Sequence, residues 1–510
     1  MMDIAIHSRE TGIPADELLD PGFIPKHTRR EFLKFSGMAA LSIGGGRILS
    51  ACRILDKPGD VRIAIVGAGI AGLNTAYILH KAGIRAEIYE ASSRAGGRMF
   101  SVAGAMGAGL VTEFGGEFID STHKDIFSLA KEFGLEVPDR KDPAKKSLSE
   151  TFFFNGRKYT ERQVLEEFKV IAPKIAADAA SLGENYRFEN PNQAAKLDNT
   201  SLEAYFSTLG VKGWLRELLE VAYVTEFGLE LSEQSSINFL SMIGTDTTSG
   251  KFEIFGSSDE RYKIKGGNES IPRELAKRLE GQLNLSHALE SIKPKGKGFT
   301  LTFTSDGAAK DVDADIVILT LPFSVLRSVD MRIELPPWKK KAIAELGYGT
   351  NAKVMAGVRD RVWNKQGYNG EVFTDENFQL AWDNSEMQPG AEGGITFFSG
   401  GKRGMDVGTK AAAENAGNFS AAYDKIFPGF NNSLNGNFRQ MHWPSYKYSL
   451  GSYSCYKPGQ WTSIHGAEGK PVGNLFFAGE HTSSEFQGFI NGGAESGRRV
   501  AEQVLKLVRT

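Results

Sequence analysis

Two cysteines in 510 residues, Cys52 and Cys455, are too few for a disulfide framework or a cysteine-built metal site. Histidine is also scarce, at 8, and no HExxH or clustered His/Cys/Asp pattern occurs, so no metal is expected. Neither sign of charge is in excess. The 60 Lys and Arg stand against 62 Asp and Glu, which removes the electrostatic case for a nucleic-acid partner. Internal repeats and long low-complexity stretches are missing. No apolar run is long enough for a permanent bilayer span, and the closing segment VAEQVLKLVRT reads as an amphipathic helix without a membrane anchor. Glycine, by contrast, is abundant at 58. With 41% hydrophobic and 24% charged residues, the chain has globular composition and the length for two or more interlocked lobes.

Residues 1–60 read as an address. Thr28-Arg29-Arg30-Glu31-Phe32-Leu33-Lys34 looks like a twin-arginine export signal, followed by a short apolar stretch from Phe35 to Ile43. Leu49-Ser50-Ala51-Cys52 resembles a lipoprotein cleavage box with Cys52 as the lipid-bearing residue. The expectation is a signal peptide over 1–52, the Tat machinery as export partner and a periplasmic location. A single acyl chain on Cys52 would tether the protein only marginally.

The run VRIAIVGAGIAG carries the most information. A short apolar strand, Ile63 to Val66, meets Gly67-x-Gly69-x-x-Gly72 and then a helical pattern through Ile70 and Ala71. Gly67 permits the tight turn, Gly69 lets backbone approach a pyrophosphate, and Gly72 lets helix and strand pack closely. The helix N-terminus offers free N–H groups and partial positive charge to phosphates. A second strand, Ala86 to Tyr89, ends at Glu90 and Ala91, about 20 residues on, where a carboxylate can accept from ribose hydroxyls. An acid there disfavours a 2′-phosphate, which predicts FAD or NAD rather than NADP.

The following block, EASSRAGGRMFS, has Arg94, Gly96-Gly97 and Arg98. Its glycines allow close backbone approach and its arginines carry fixed forks of donors suited to phosphate. This block resembles the flavin-containing amine oxidase superfamily, which comprises monoamine oxidases, polyamine oxidases and L-amino-acid oxidases, and so points to FAD. The resemblance covers about residues 61–507. It implies an α/β fold in which a Rossmann-like FAD-binding lobe is interwoven with an α+β substrate-binding lobe, the amine oxidase two-domain architecture. The expected FAD pieces are 61–120, 258–328 and 472–510. The expected substrate pieces are 121–257 and 329–471.

The same resemblance implies a site. Asn474 to Thr482 contains Gly479-Glu480, which matches the Gly-Glu beside the FAD ribityl-pyrophosphate. The GFINGG segment (Gly488, Phe489, Ile490) opens a helix facing the isoalloxazine. Glu113 to Asp120, with Gly115, Gly116, Glu117 and Phe118, is expected under the flavin. Lys353, in the strand-like run GYGTNAKVMAGV, resembles the lysine that holds a water at flavin N5. Tyr453 and Phe489 fall on the two aromatic cage positions, where π faces attract an amine. Ser452 stands where monoamine oxidases have the flavin-bonded cysteine, so FAD is expected to be non-covalent, with Cys455 a bystander. Phe118 replaces the arginine that grips a carboxylate in L-amino-acid oxidases. Glu117 and Asp120 remain open as partners for a distal cation or as structural acids, and His123 is a weaker candidate for the pocket wall.

The expected activity is oxidative deamination of a small-molecule amine by hydride transfer to flavin N5, with imine hydrolysis and reoxidation by oxygen to give hydrogen peroxide. An alternative keeps FAD but takes an L-amino acid, basic ones included, as oxidase or quinone-linked dehydrogenase, with Arg327 as a substitute carboxylate anchor. A second alternative is a flavin-binding protein without turnover. A homodimer is left open.

Overall fold

Four consecutive apolar residues suit a strand buried on both faces of a parallel sheet. The computed structural model, which describes residues 61–141 and 148–509, places Ile63–Val66 there, with all four residues buried. It is the central strand of a five-stranded, all-parallel sheet in the order Leu475–Phe477, Ile316–Leu319, Ile63–Val66, Glu87–Tyr89, Leu283–Asn284. Strands distant in sequence therefore build one Rossmann-like sheet, which is the interweaving expected of an α/β two-domain amine oxidase architecture.

Two helices cover this sheet and pack on each other through small residues. The helix Ile70–Lys81 follows the first glycine turn, and Ile490–Arg509 closes the described chain. Gly493 and Gly497, one turn apart, face the first helix. A Cβ on Gly493 would lie 2.6 Å from Ile70 Cγ2, and one on Gly497 2.5 Å from the Ala71 carbonyl. This proximity lets Asn74 Nδ2 donate to the Ala494 carbonyl at 2.7 Å and Thr75 Oγ1 to that of Gly497 at 3.0 Å.

A four-stranded sheet spans Ala288–Lys295, Gly298–Ser305, Ala308–Ala314 and Asp330–Met331. Asp330–Met331 pairs with Ala288–Lys295, so this unit runs past the expected boundary at 328. A seven-stranded mixed sheet is built from 149–159 and 352–442, with Ala352–Val358 between Leu434–His442 and Gly393–Ser399. Ala352–Val358 is buried at all seven positions because it is an interior strand of that sheet. Helices from 161 to 240, including Gly213–Phe227, form a separate apolar cluster on Phe152, Phe154 and Phe373.

The expected signal segment, with Arg29, Arg30 and Cys52, lies outside the described residues. Among the described residues no helix is long and apolar enough to cross a membrane.

Candidate active site

One cavity of about 540 Å³ collects most of the residues singled out from the sequence. Its walls include Gly67, Gly69, Ile70, Ala71, Glu90, Ala91, Gly97 and Arg98 at one end, and Gly115, Gly116, Glu117, Phe118, Lys353 and Tyr453 further along. Gly479, Glu480, Gly488, Phe489 and Ile490 complete it.

The dinucleotide end is built by close backbone approach. Gly67 has φ +105°, a region that disfavours side chains, and an added Cβ would meet Thr320 Oγ1 at 2.4 Å. Gly72 does not reach the cavity; a Cβ there would lie 2.0 Å from the Gly67 carbonyl, so it sets the helix on the turn. Glu90 is held by the Ala68 N–H (2.8 Å) and by the N–H and hydroxyl of Ser92 (2.9 and 2.7 Å). The helix Ile70–Lys81 begins on this wall, and its first N–H groups have no intrahelical acceptor. An anionic pyrophosphate and a ribose are the groups this arrangement fits.

Arg94 departs from the expectation that it binds cofactor. It is absent from the cavity wall and braces its own loop, donating to the carbonyls of Ala95, Gly97 and Met99 and stacking 4.0 Å over the Phe100 ring. Arg98 does line the cavity, donating to the Ser452 carbonyl (2.8 Å) and Glu480 Oε1 (2.9 Å). The other Glu480 oxygen accepts from Ser454 Oγ and the Gly488 N–H, both at 2.8 Å. Burial raises this carboxyl, but the Arg98 charge and the donated bonds outweigh it and hold Glu480 below the ordinary carboxylate range.

Lys353 and Glu117 form a buried charge cluster, each 5% exposed. Lys353 Nζ donates to Glu117 Oε2 (2.9 Å) and to the carbonyls of Gly115 (2.9 Å) and Glu113 (3.1 Å). Its three protons thus have protein acceptors, and a water could be held only if one bond yields. Lys263 Nζ reaches Glu117 Oε1 at 2.8 Å. Burial would raise Glu117, but the Lys263 and Lys353 charges bring it down to about 2. Glu117 is therefore an acid already compensated by two ammonium groups, one on each oxygen. Asp120 is similarly engaged, accepting the Glu260 N–H at 2.8 Å.

Tyr453 and Phe489 both line the cavity. A Cβ added to Gly488 would stand 3.8 Å from the Tyr453 ring, so that ring lies beside the Gly488–Phe489 turn. The Tyr453 hydroxyl donates to the Thr225 carbonyl at 3.1 Å. His123 is fully buried behind the wall, edge-on to Phe489 at 5.4 Å, with Nδ1 accepting the Asp120 N–H at 3.0 Å. It supports an aromatic and does not reach the cavity. Ser452 Oγ donates to Asn351 Oδ1 at 2.6 Å, and burial pushes the Cys455 thiol up, away from reactivity.

Arg327, the substitute carboxylate anchor, donates to the carbonyls of Ile343 (2.8 Å) and Leu346 (2.5 Å) and is not on the cavity wall. Phe118 is packed between the Arg140 guanidinium (4.2 Å) and Lys263 Nζ (4.8 Å), with Trp382 edge-on at 5.6 Å. Glu226, Glu260, Glu371 and Trp382 also line the cavity and were not picked out from sequence. An acid inside the apolar helical run VAYVTEFG was the available signal for Glu226.

The comparisons agree with this construction. The family profile "Flavin containing amine oxidoreductase" matches residues 70–505. A flavin-containing amine oxidase of Danio rerio is 24% identical over 87% of this chain and 85% of that protein. An L-amino acid dehydrogenase of Synechocystis is 22% identical over 90% of this chain and 97% of that protein. Putrescine oxidase, solved with putrescine, shares the fold with a TM-score of 0.75 at 20% identity, over 88% of this chain and 99% of that one. Cyclohexylamine oxidase from Brevibacterium oxydans does so with a TM-score of 0.77 at 21% identity, over 88% and 100%. With a glycine turn and acid suited to FAD, a profile spanning both lobes and a shared two-domain fold, the chain belongs to the flavin-containing amine oxidoreductase family.

Proposed function

We propose that this protein is an FAD-dependent amine oxidase. The observation that carries the reading is the meeting, in one cavity, of the Gly67–Ala71 turn, Lys353 and the aromatic pair Tyr453 and Phe489. FAD, when bound, supplies the two-electron acceptor for the hydride that leaves the carbon bearing nitrogen. For a primary amine the overall balance is amine plus oxygen plus water to aldehyde, ammonia and hydrogen peroxide.

The chain's own residues bind and orient. Gly67, Gly69 and the N-terminus of Ile70–Lys81 hold the pyrophosphate, and Glu90 holds a ribose. Arg98, pinned on Glu480, fixes the Ser452–Tyr453 segment through the Ser452 carbonyl. Tyr453 and Phe489 present π faces to a neutral amine and align it, which is where positioning lowers the barrier. Lys353 ties the Glu113–Glu117 turn to the strand Ala352–Val358. Serine at 452 offers no thiol for a thioether, so FAD is held non-covalently. The lobes follow the pieces 61–120, 258–328 and 472–510 for FAD, and 121–257 and 329–471 for substrate, with the second FAD piece extended through the strand Asp330–Met331. Export through the Tat route, with lipid on Cys52, would place the reaction in the periplasm.

Anaerobic reduction of the purified holoprotein tests this. Amines should bleach the flavin, and oxygen should restore it with stoichiometric peroxide. Bleaching by L-amino acids alone would move the reading to an amino-acid oxidase or quinone-linked dehydrogenase. Arg327, tied to two backbone carbonyls, argues against that outcome.

A further inference from the structure

The far side of the same cavity is unusually acidic. Glu226, Glu260 and Glu371 line it, each partly buried, and among the described residues no hydrogen bond or ion pair reaches any of the three carboxyl groups. They come from three elements: the helix Gly213–Phe227, the segment before Arg261 and the strand Tyr368–Thr374. Arg140 compensates Glu260 and Glu371 only in part, through space and without a hydrogen bond to either carboxyl. Arg140 is turned to Glu386 (2.6 Å) and the Glu260 carbonyl (2.5 Å) and stacked on Phe118. Asp120 adds a further acid to the wall.

Unpartnered carboxyl groups in a confined space are costly unless a cation joins them or they take up protons. Here burial is the main cause that raises all three, joined by repulsion from Asp120 at Glu226, from Glu371, Glu226 and Asp120 at Glu260, and from Glu386 at Glu371; Glu226 reaches about 7. Trp382, only 5% exposed, contributes to the same wall, and its buried indole N–H has no acceptor. The groups this wall offers to a protonated nitrogen are the three carboxyls.

Resting on the amine-oxidase reading, we propose that the substrate is an aliphatic diamine or polyamine whose second, protonated nitrogen is received by Glu226, Glu260 and Glu371. The apolar side chains of Met242, Phe255, Leu380 and Phe398 line the cavity as well and suit a methylene spacer. An amino acid is a poor fit. Of the cavity-lining cations, Arg98 and Lys353 are already paired with Glu480 and Glu117, and Lys447 lies over the Tyr448 ring at 5.4 Å, so an α-carboxylate near Glu226, Glu260 and Glu371 would meet acids.

The test uses the FAD-loaded protein and anaerobic flavin reduction by 1,4-diaminobutane, 1,5-diaminopentane, butylamine, pentylamine and L-lysine. A charged hydrogen bond to the second nitrogen should make each diamine better than its monoamine by roughly tenfold or more in kcat/KM. In Glu260→Gln and Glu371→Gln that ratio should fall toward one. Independently of turnover, 1,4-diaminobutane should raise the Tm of the FAD-free protein where butylamine does not. Monoamines reducing the flavin as well as diamines would overturn this inference and leave the oxidase reading standing. L-Lysine outperforming both diamines would overturn it in favour of a carboxylate-bearing substrate. Reduction by none of the five would sink the oxidase reading itself. The wild-type ratios decide the matter even if a variant fails to fold.

Discussion

Replacing Glu117 by Gln keeps shape and removes one charge, leaving Lys263 and Lys353 facing each other in the interior. The magnitude follows from two routes. The carboxyl moves from the ordinary 4.5 to about 2 on folding, against burial and under the two ammonium groups. At about 1.4 kcal/mol per unit, this is about 3 kcal/mol of stability. Removing one member of a buried pair costs about 3–5 kcal/mol by direct analogy. The sign is that of a depressed acid: the contribution is present above about 4.5 and is lost as pH falls toward about 2. For a folded chain of roughly 450 residues, unfolding entropy of about 2.1 cal/mol/K per residue turns 3 kcal/mol into a Tm drop of about 3 °C. The assay is a thermal scan at pH 7.5 with saturating FAD, on wild type, Glu117→Gln, Lys263→Met and the double variant. Removing Lys263 relieves part of the unpaired charge, so the double variant should be more stable than the sum of the single losses predicts. A Tm of Glu117→Gln equal to wild type, or strictly additive losses, would refute the buried-triad argument.

Three further outcomes are expected. Gly72→Ala drives a methyl group into the Gly67 carbonyl, at 2.0 Å for the Cβ, so the protein should purify with little FAD or fail to fold; normal flavin content would contradict the packing role. Acid precipitation should release all the yellow colour into the supernatant, because Ser452 offers only a hydroxyl bonded to Asn351; colour retained on the polypeptide would show a covalent link. KM for 1,4-diaminobutane should fall as pH rises from 6 to 8, because burial holds Glu226 at about 7, beside Asp120 and Glu260, and only its ionised form attracts the ammonium; a flat profile would remove Glu226 from recognition.

What could be read from the sequence was chemistry carried by local spacing. Gly67-x-Gly69-x-x-Gly72 and Glu90 must sit at fixed offsets because strand, turn and helix are contiguous, and the structure sets Gly67, Gly69 and Glu90 on one wall with Gly72 packed behind it. Arg94 was misread for the complementary reason. An arginine beside glycines has phosphate-like partners in its own loop carbonyls, and three of them captured it. Glu117 and Asp120 stay open in the sequence between cation partners and structural acids because Lys263 and the Glu260 N–H lie about 140 residues away, and nothing local announces those pairings.

The acidic end of the cavity was illegible on the same principle. Glu226, Glu260 and Glu371 lie on a helix, a connecting segment and a strand, and each alone is an ordinary acid. Only the juxtaposition of Gly213–Phe227 with Tyr368–Thr374 makes them neighbours. Substrate choice in this fold is then a long-range property. The glycine turn of the cofactor end is one contiguous βα unit, whereas the selecting end we propose is assembled wholly from separated segments that can change one at a time. A family can keep its flavin signature while its members diverge in substrate, because the two ends of the cavity are encoded at different sequence ranges.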